Sequence, residues 1–221
     1  VQQGYLVSDG QGKYRATESG RNAALRLIQA GNNDMAALTP IPNESLRTLG
    51  NLLARISDAA FNLPEPPAHI LIKAKRDCYQ RTGTFAALEG FPAHCMLLEG
   101  HRDDCYFATW SAYGVEGHTW EVLDFLSNSD AITFEDLHAK LSRRGVTEEA
   151  HARDVRELVG RGWVEEGSGV VKATEAGKQV RAEVEAETER LFFLPWSSLN
   201  KSELEELASL AGQLRDGLKG S

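Results

Sequence analysis

Residues 161 to 177 read Arg161-Gly-Trp-Val-Glu-Glu-Gly-Ser-Gly-Val-Val-Lys-Ala-Thr-Glu-Ala-Gly177, and their order decides how the chain is built. Gly162 stops a preceding helix, and Trp163 with Val164 starts a strand. Gly167 and Gly169 turn that strand, Val170 and Val171 return, and Thr174 caps a new helix. The spacing therefore predicts a β-hairpin set between two helices. The same order occurs at the start of the sequence, where Gly4-Tyr5-Leu6 leads through Gly10 and Gly12 to Tyr14 and then to Ala16-Thr-Glu-Ser-Gly-Arg21.

Register shows that the two stretches are copies. Gly4 matches Gly162 at an offset of 158, whereas Thr17 and Gly20 match Thr174 and Gly177 at 157, so the second hairpin is one residue shorter. The offset then returns to 158: Leu46, Leu49, Leu53, Ile56 and Ala60 match Leu204, Leu207, Ala211, Leu214 and Leu218. Both sets have the spacing of one apolar helix face. Agreement over three elements points to a tandem duplication. Val1 falls opposite Val159, inside the helix that precedes the second hairpin, and it is not a Met. The expectation is a fragment or trimmed chain whose first copy has lost its upstream helices.

Composition narrows the class. The 221 residues are 42% hydrophobic and 25% charged with seven prolines, enough to bury one large or two small cores. No run reaches the length of a membrane span, and Val1-Gln-Gln-Gly4 has neither a basic segment nor an apolar signal core, so no membrane partner is expected. Three cysteines without paired spacing suit a reducing cytoplasm. The net charge of −8 argues against broad, nonspecific nucleic-acid binding but leaves room for a local basic patch.

In chain order, a helix is predicted from Thr17 to about Leu38 with Ala23, Leu27 and Ile28 inward, ended by Thr39-Pro-Ile-Pro-Asn43. Asn43 or Ser45 is placed to cap the next helix, which carries the Leu46 to Ala60 face. Pro64-Glu-Pro-Pro67 ends this first unit. The domain organisation expected is 1–63, a linker over 64–90, and 91–221. Within the linker, Ile70-Leu-Ile72 is open between helix and strand. A long helix follows from Phe91 to about Tyr113, then a short amphipathic one around Trp120, Val122, Leu123 and Leu126. Phe134 to Leu141, with Leu137 and Leu141 inward, and Thr147 to Arg161, with Val155, Leu158 and Val159 inward, flank Ser-Arg-Arg-Gly-Val146. Gly145 suits the sharp turn of a helix-turn-helix pair.

The succession long helix, short helix, helix-turn-helix pair, hairpin, two long apolar-faced helices resembles the multiple-antibiotic-resistance-regulator (MarR) family of winged-helix transcription factors. The most specific piece is Val155-Arg-Glu-Leu-Val-Gly-Arg-Gly-Trp-Val164, with Ala173-Thr-Glu-Ala-Gly177 opening the next helix. The resemblance covers 91–218 in full and 1–60 as a truncated copy. It implies a mainly α fold with small β-hairpin wings and a cytoplasmic, DNA-binding regulator without cofactor. In that family the first and last two helices pair two subunits. Two copies in one chain imply the same pairing internally, as a pseudo-dimer, with an ordinary homodimer as the alternative.

The residues leave two functions open. In the first, Arg143, Arg144, Thr147, Arg153, Arg156 and Lys172 meet phosphates of double-stranded DNA and His151 lies near bases. In the second, a winged helix with degenerate DNA contacts serves as a ligand-binding or protein-interaction scaffold. Its support is charge: Glu148 and Glu149 open the reader helix, Glu165 and Glu166 sit in the wing, and Trp120 to Lys172 holds seven basic against eleven acidic residues. The arginines could equally be tied up by Glu149, Asp154 and Glu157 as ion pairs on the helix surface.

Catalytic readings have little support. No Gly-rich phosphate loop or nucleophile motif occurs, so no enzymatic activity is expected. His94, His101 and Cys105, with Asp104, share one side of a helix, but one helix rarely closes a metal site. Nothing beside Cys78, Cys95 or Cys105 beyond those histidines would lower a thiol pKa. Phe107, Trp110, Tyr113 and Trp120 cluster at the junction where effectors bind in the MarR family. They read either as a site for a small-molecule effector or as core.

Overall fold

The structure, a computed structural model, describes residues 3–66 and 68–219. In chain order it contains β1 (Leu6–Ser8), β2 (Tyr14–Ala16), α1 (Glu18–Ala36), α2 (Asn43–Asn62), α3 (Ile70–Thr82), a 3-10 helix (Thr84–Gly90) and α4 (Phe91–Ser111). There follow α5 (Gly117–Ser127), α6 (Phe134–Leu141), α7 (Glu148–Gly160), β3 (Val164–Gly167), β4 (Val170–Ala173), α8 (Glu175–Phe193) and α9 (Lys201–Lys219). Contacts divide them into two units. One comprises the first 64 residues, His69–His101 and Leu194–Ser221; the other comprises Glu65–Ala68 and Arg102–Phe193.

The two hairpin-to-helix junctions are built by the same bonds. The Thr174 hydroxyl donates to the Gly162 carbonyl at 2.7 Å and accepts from the Gly177 amide at 3.1 Å. The Thr17 hydroxyl does the same with Gly4 at 2.7 Å and Gly20 at 3.0 Å. The Thr174 amide donates to Trp163 O and the Thr17 amide to Tyr5 O. Each threonine thus caps its helix and ties it to the start of the hairpin. A β-carbon on Gly177 would stand 2.0 Å from Trp163 O, and one on Gly20 would stand 2.1 Å from Tyr5 O. No side chain fits at either place, which is why the Thr-Glu-x-Gly pattern occurs twice. The second hairpin turns through Ser168 (φ 54°) and Gly169 (φ 78°), both left-handed, so Gly167 belongs to the strand and not to the turn as expected.

In the first unit, α2 is the central element. Leu46, Leu49, Leu53, Ile56 and Ala60 are all buried, as their spacing predicts, together with Leu52. Leu207, Leu210 and Leu214 of α9 are buried, and α9 packs against α2. Arg55 of α2 fixes the pairing: its guanidinium binds the Glu203 carboxylate and donates to Ser198 O at 2.6 Å. Asn200 and Glu203 cap α9 reciprocally, side chain to backbone amide at 2.8 and 3.0 Å. The stretch Ile70-Leu-Ile72 opens a helix, α3, which ends at the left-handed Gly83 and buries Ile72 against Ala60 and Leu97.

Four expectations fail here. Pro42, not Asn43 or Ser45, stands at the start of α2, which has no side-chain cap. Leu27 is 75% exposed, whereas Ala23 and Ile28 are half-buried and α1 packs against the Thr84–Gly90 helix, so of the expected inward set only Leu27 is uncovered. Leu218 is exposed, although its neighbour Gly217 lies close against the Pro40 carbonyl. The long helix stops at Ser111, two residues before Tyr113.

The second unit closes around α5. Trp120, Val122, Leu123 and Leu126 pack with Leu137 and Leu141 of α6, Val155 and Leu158 of α7, Val164, Val171 and Ala173 of the hairpin, and Val184 of α8. Ile132 pairs with Val171 through two backbone hydrogen bonds of 3.1 and 2.8 Å, adding an edge to the β3–β4 hairpin. A three-helix core with a hairpin against it is a winged helix.

Candidate nucleic-acid interface

Thr147 starts α7 as expected, its hydroxyl accepting from the Ala150 amide at 3.3 Å. Gly145, at φ 74°, makes the sharp turn from α6. Glu148 and Glu149 occupy the first turn, where carboxylates meet the positive end of the helix dipole. The Glu149 carboxyl is held below the usual carboxylate range by its own backbone amide and by the Thr147 hydroxyl. The acidic start of the reader helix therefore has a local cause: it stabilises the helix.

The inner face of α7 consists of His151, Asp154, Val155 and Leu158. Asp154 accepts from His118 Nδ1 and from the Thr119 hydroxyl of α5, both at 2.8 Å, and is unavailable to arginines on the outer face. His151, expected near bases, is 1% exposed and shares a 2.8 Å Nδ1 to Nδ1 hydrogen bond with His138 of α6. Burial lowers its pKa, with His138 adding to the effect. An imidazole held this way is a core group and offers nothing to DNA. Val159, expected inward, is exposed, because one residue past Leu158 the helix has turned away from α5.

The outer face and the turn carry the basic candidates. Arg143, Arg153 and Arg156 are exposed, and among the described residues none of the three forms an ion pair. Arg144 is bound to Glu121 at 2.6 Å and Lys172 crosses the hairpin to Glu165 at 2.8 Å. Glu157 is taken by Arg161 at 2.8 Å. Arg161 also donates to the carbonyls of Tyr113 and Gly114 at 3.0 and 2.9 Å, and lies over the Trp163 ring. It anchors the end of α7 and the start of the wing to the α4–α5 turn, a role the sequence did not suggest. The residues thus sort into exposed arginines outside any ion pair, basic groups already bound to a carboxylate, and one anchor.

The aromatic candidates divide between two cavities. Phe107, Trp110 and Trp120 line a cavity of about 540 Å³ between α4, α5 and the turn before α7, with Tyr106, His118 and Glu121 on its wall. Trp110 stacks on Trp120 with centroids 6.2 Å apart, and Trp120 Nε1 donates to the Tyr106 hydroxyl at 2.6 Å. Both tryptophans are buried and Phe107 is half exposed, so the cluster is core on one side and cavity wall on the other. Tyr113 lines a second cavity of about 550 Å³ with Glu183, Glu187 and Arg190, its hydroxyl donating to Glu183 at 3.1 Å.

Two of the thiols are deactivated. Burial pushes Cys95 up to about 11 and Cys105 up to about 12, the reverse of what a redox-sensing thiolate requires. His94 bonds the Ser57 hydroxyl at 2.8 Å and His101 stacks against His69, so both belong to helix packing.

Helix α6, the turn at Gly145 and α7, with the β3–β4 hairpin beside them, form a winged helix-turn-helix. The chain belongs to the helix-turn-helix family, whose match spans residues 87–220. Among solved structures it is similar to the reduced form of MarR from Escherichia coli, at 22% identity over 53% of this chain and 87% of that one, with a TM-score of 0.38. It is likewise similar to the oxidized form, at 24% identity over 53% and 88% with a TM-score of 0.37. A third likeness is to a MarR family protein from Mycobacterium tuberculosis, at 20% identity over 56% and 93% with a TM-score of 0.41. At these scores the fold assignment rests on the chain's own caps, hairpin and helix order. No curated protein matches.

Proposed function

We propose that this protein is a transcriptional regulator that binds double-stranded DNA through α7, the turn before it and the hairpin wing. The observation that supports the reading is the state of three arginines. Arg143, Arg153 and Arg156 are exposed without an ion-pair partner among the described residues, while Asp154, Glu157 and Glu165 are engaged elsewhere. Exposed guanidinium groups outside any ion pair are suited to phosphate oxygens, and Arg153 would be the one to reach a base edge. Thr147 keeps its hydroxyl for the helix cap, and Arg144 and Lys172 must exchange an internal carboxylate for a phosphate to take part. The experiment is a titration of a random-sequence duplex with the protein and with a variant carrying Arg143→Ala, Arg153→Ala and Arg156→Ala. The proposal expects binding at low salt that the variant loses. Equal binding by both removes α7 from the interface.

The cavity lined by Phe107, Trp110 and Trp120 supports response to an aromatic small molecule, since it adjoins Arg144 at the turn before α7. A ligand there would act on the reader without touching DNA. The packing of α2 against α9 supports dimer-like pairing inside one chain, because these helices carry the repeated apolar faces.

A second reading has its own observation. Glu148 and Glu149 stand exposed beside Arg153, and two of the five basic candidates are already neutralised by carboxylates. A winged helix so balanced serves equally as a scaffold for a ligand or protein. Absence of DNA binding at low salt, with the unit folded, selects it.

A further inference from the structure

The two copies bury the same surface to opposite extents. In the second copy Val164, Val171 and Val184 are 2%, 1% and 0% exposed, packed beneath α5, α6 and α7. Their counterparts in the first copy, at the offsets fixed by the repeat, are Leu6, Tyr14 and Leu27, which are 43%, 58% and 75% exposed. The correspondence extends to the backbone. Gly177 lies against Trp163 O with the Leu123 side chain pressing from α5, whereas the three atoms nearest Gly20 all belong to Tyr5. The β1–β2 hairpin and α1 thus keep the caps, the close approach and the apolar residues of a surface made to be covered. Leu, Tyr and Leu at these positions present more apolar area than the three valines they match.

We propose that the face formed by β1, β2 and α1 is the seat of a helix-turn-helix segment of the same chemistry as α5–α7: three short helices turning a Leu, Val and Trp face to the hairpin. Such a segment would bury Leu6, Tyr14 and Leu27 as α5–α7 bury Val164, Val171 and Val184. The occupant is not α5–α7 of a second copy, since Val122, Leu123, Leu126, Leu137 and Leu158 are already fully buried under their own hairpin and α8. A polar ligand is disfavoured by the same residues, because Leu6 and Leu27 offer it no hydrogen bonds and the Tyr14 hydroxyl only one group. The seat accounts for the Leu27 side of α1, which stays uncovered although the helix packs on the Thr84–Gly90 helix with its other side.

The test uses the whole 221-residue chain, isotopically labelled, with an unlabelled polypeptide of residues 117–161 of this sequence as the probe. Hydrogen exchange is followed residue by residue, with sedimentation of the chain alone as the control. The proposal expects new protection at residues 5–8, 14–16 and 18–30 on adding the probe, with exchange at 164–184 unchanged. Leu27→Asp should weaken that binding by about tenfold or more while leaving the fold intact, because Leu27 touches little in the free chain. Three results overturn the proposal. The probe may leave the first copy's exchange unaltered, Leu27→Asp may bind it equally well, or the chain alone may form dimers that Leu27→Asp dissolves, which would make a second copy the cover.

Discussion

Gly177 lies so close to Trp163 that a single methyl group on it would meet the Trp163 carbonyl oxygen at 2.0 Å. That oxygen also accepts the Thr174 amide, so it cannot retreat without breaking the junction between hairpin and α8. Gly177→Ala is therefore expected to destabilise the second unit by about 3 kcal/mol or more, as overpacking against backbone does. Thermal unfolding measures it, and an unchanged melting temperature would mean the junction is loose.

Leu207 and Leu218 share one face of α9 by spacing but differ in burial. Leu207→Ala should cost roughly 2 to 5 kcal/mol, since it leaves a cavity against α2. Leu218→Ala, at an exposed position, should change stability by less than about 0.5 kcal/mol. Denaturant unfolding of the pair checks both, and equal losses would contradict the placement of α9.

The His138–His151 contact gives the fold a pH dependence. Burial lowers the folded-state pKa of His151, so the unfolded chain binds its proton more readily. The stability this contributes is present above the unfolded value, about 6.5, and is lost as pH falls from there through the lower folded value. His94 is lowered in the same direction by burial and adds to the loss. The melting temperature should fall progressively as pH drops below about 6.5. His151→Gln should flatten part of that fall, and an identical pH profile in the variant would contradict the assignment.

Glu148 and Glu149 stabilise the start of α7 but face the side where DNA would lie. Replacing both by Gln should lower the melting temperature slightly, because two charges leave the positive end of the helix. The same change should tighten duplex binding several-fold at low salt. The two effects have opposite signs, and tighter binding accompanied by greater stability would contradict the helix-dipole account of these carboxylates.

What the sequence made legible was backbone geometry written in particular residues. Thr17 and Thr174 mark helix starts because a hydroxyl can bond both the helix and the hairpin, Gly20 and Gly177 because no β-carbon fits there, and Gly145 because the turn needs a left-handed residue. The α2 face was legible from spacing alone. Spacing does not say whether a face has a partner, which is why Leu27 was expected inward and is not. His151 and Asp154 were misplaced for a different reason. Both lie on the stripe of Val155 and Leu158, a signal that was available. Their polar character suggested solvent, while their partners, His138 and His118, lie 13 and 36 residues away in sequence. Arg161 shows the same limit: its anchoring carbonyls, Tyr113 and Gly114, leave no trace in composition. For the aromatic cluster, the sequence named the residues that line the cavity at α4 and α5 but could not separate Tyr113 from them.

Arg153 is the residue of α7 whose removal tests DNA reading most directly. The apparent affinity of the protein for a duplex, measured from low to moderate salt, should fall linearly on a double-logarithmic plot. Arg153→Ala should reduce that slope by about 0.9, the loss of one phosphate contact. If Arg153 reaches a base instead, the variant should keep the slope and lose sequence preference. A variant that matches the parent in slope, affinity and preference would contradict the claim that α7 reads DNA.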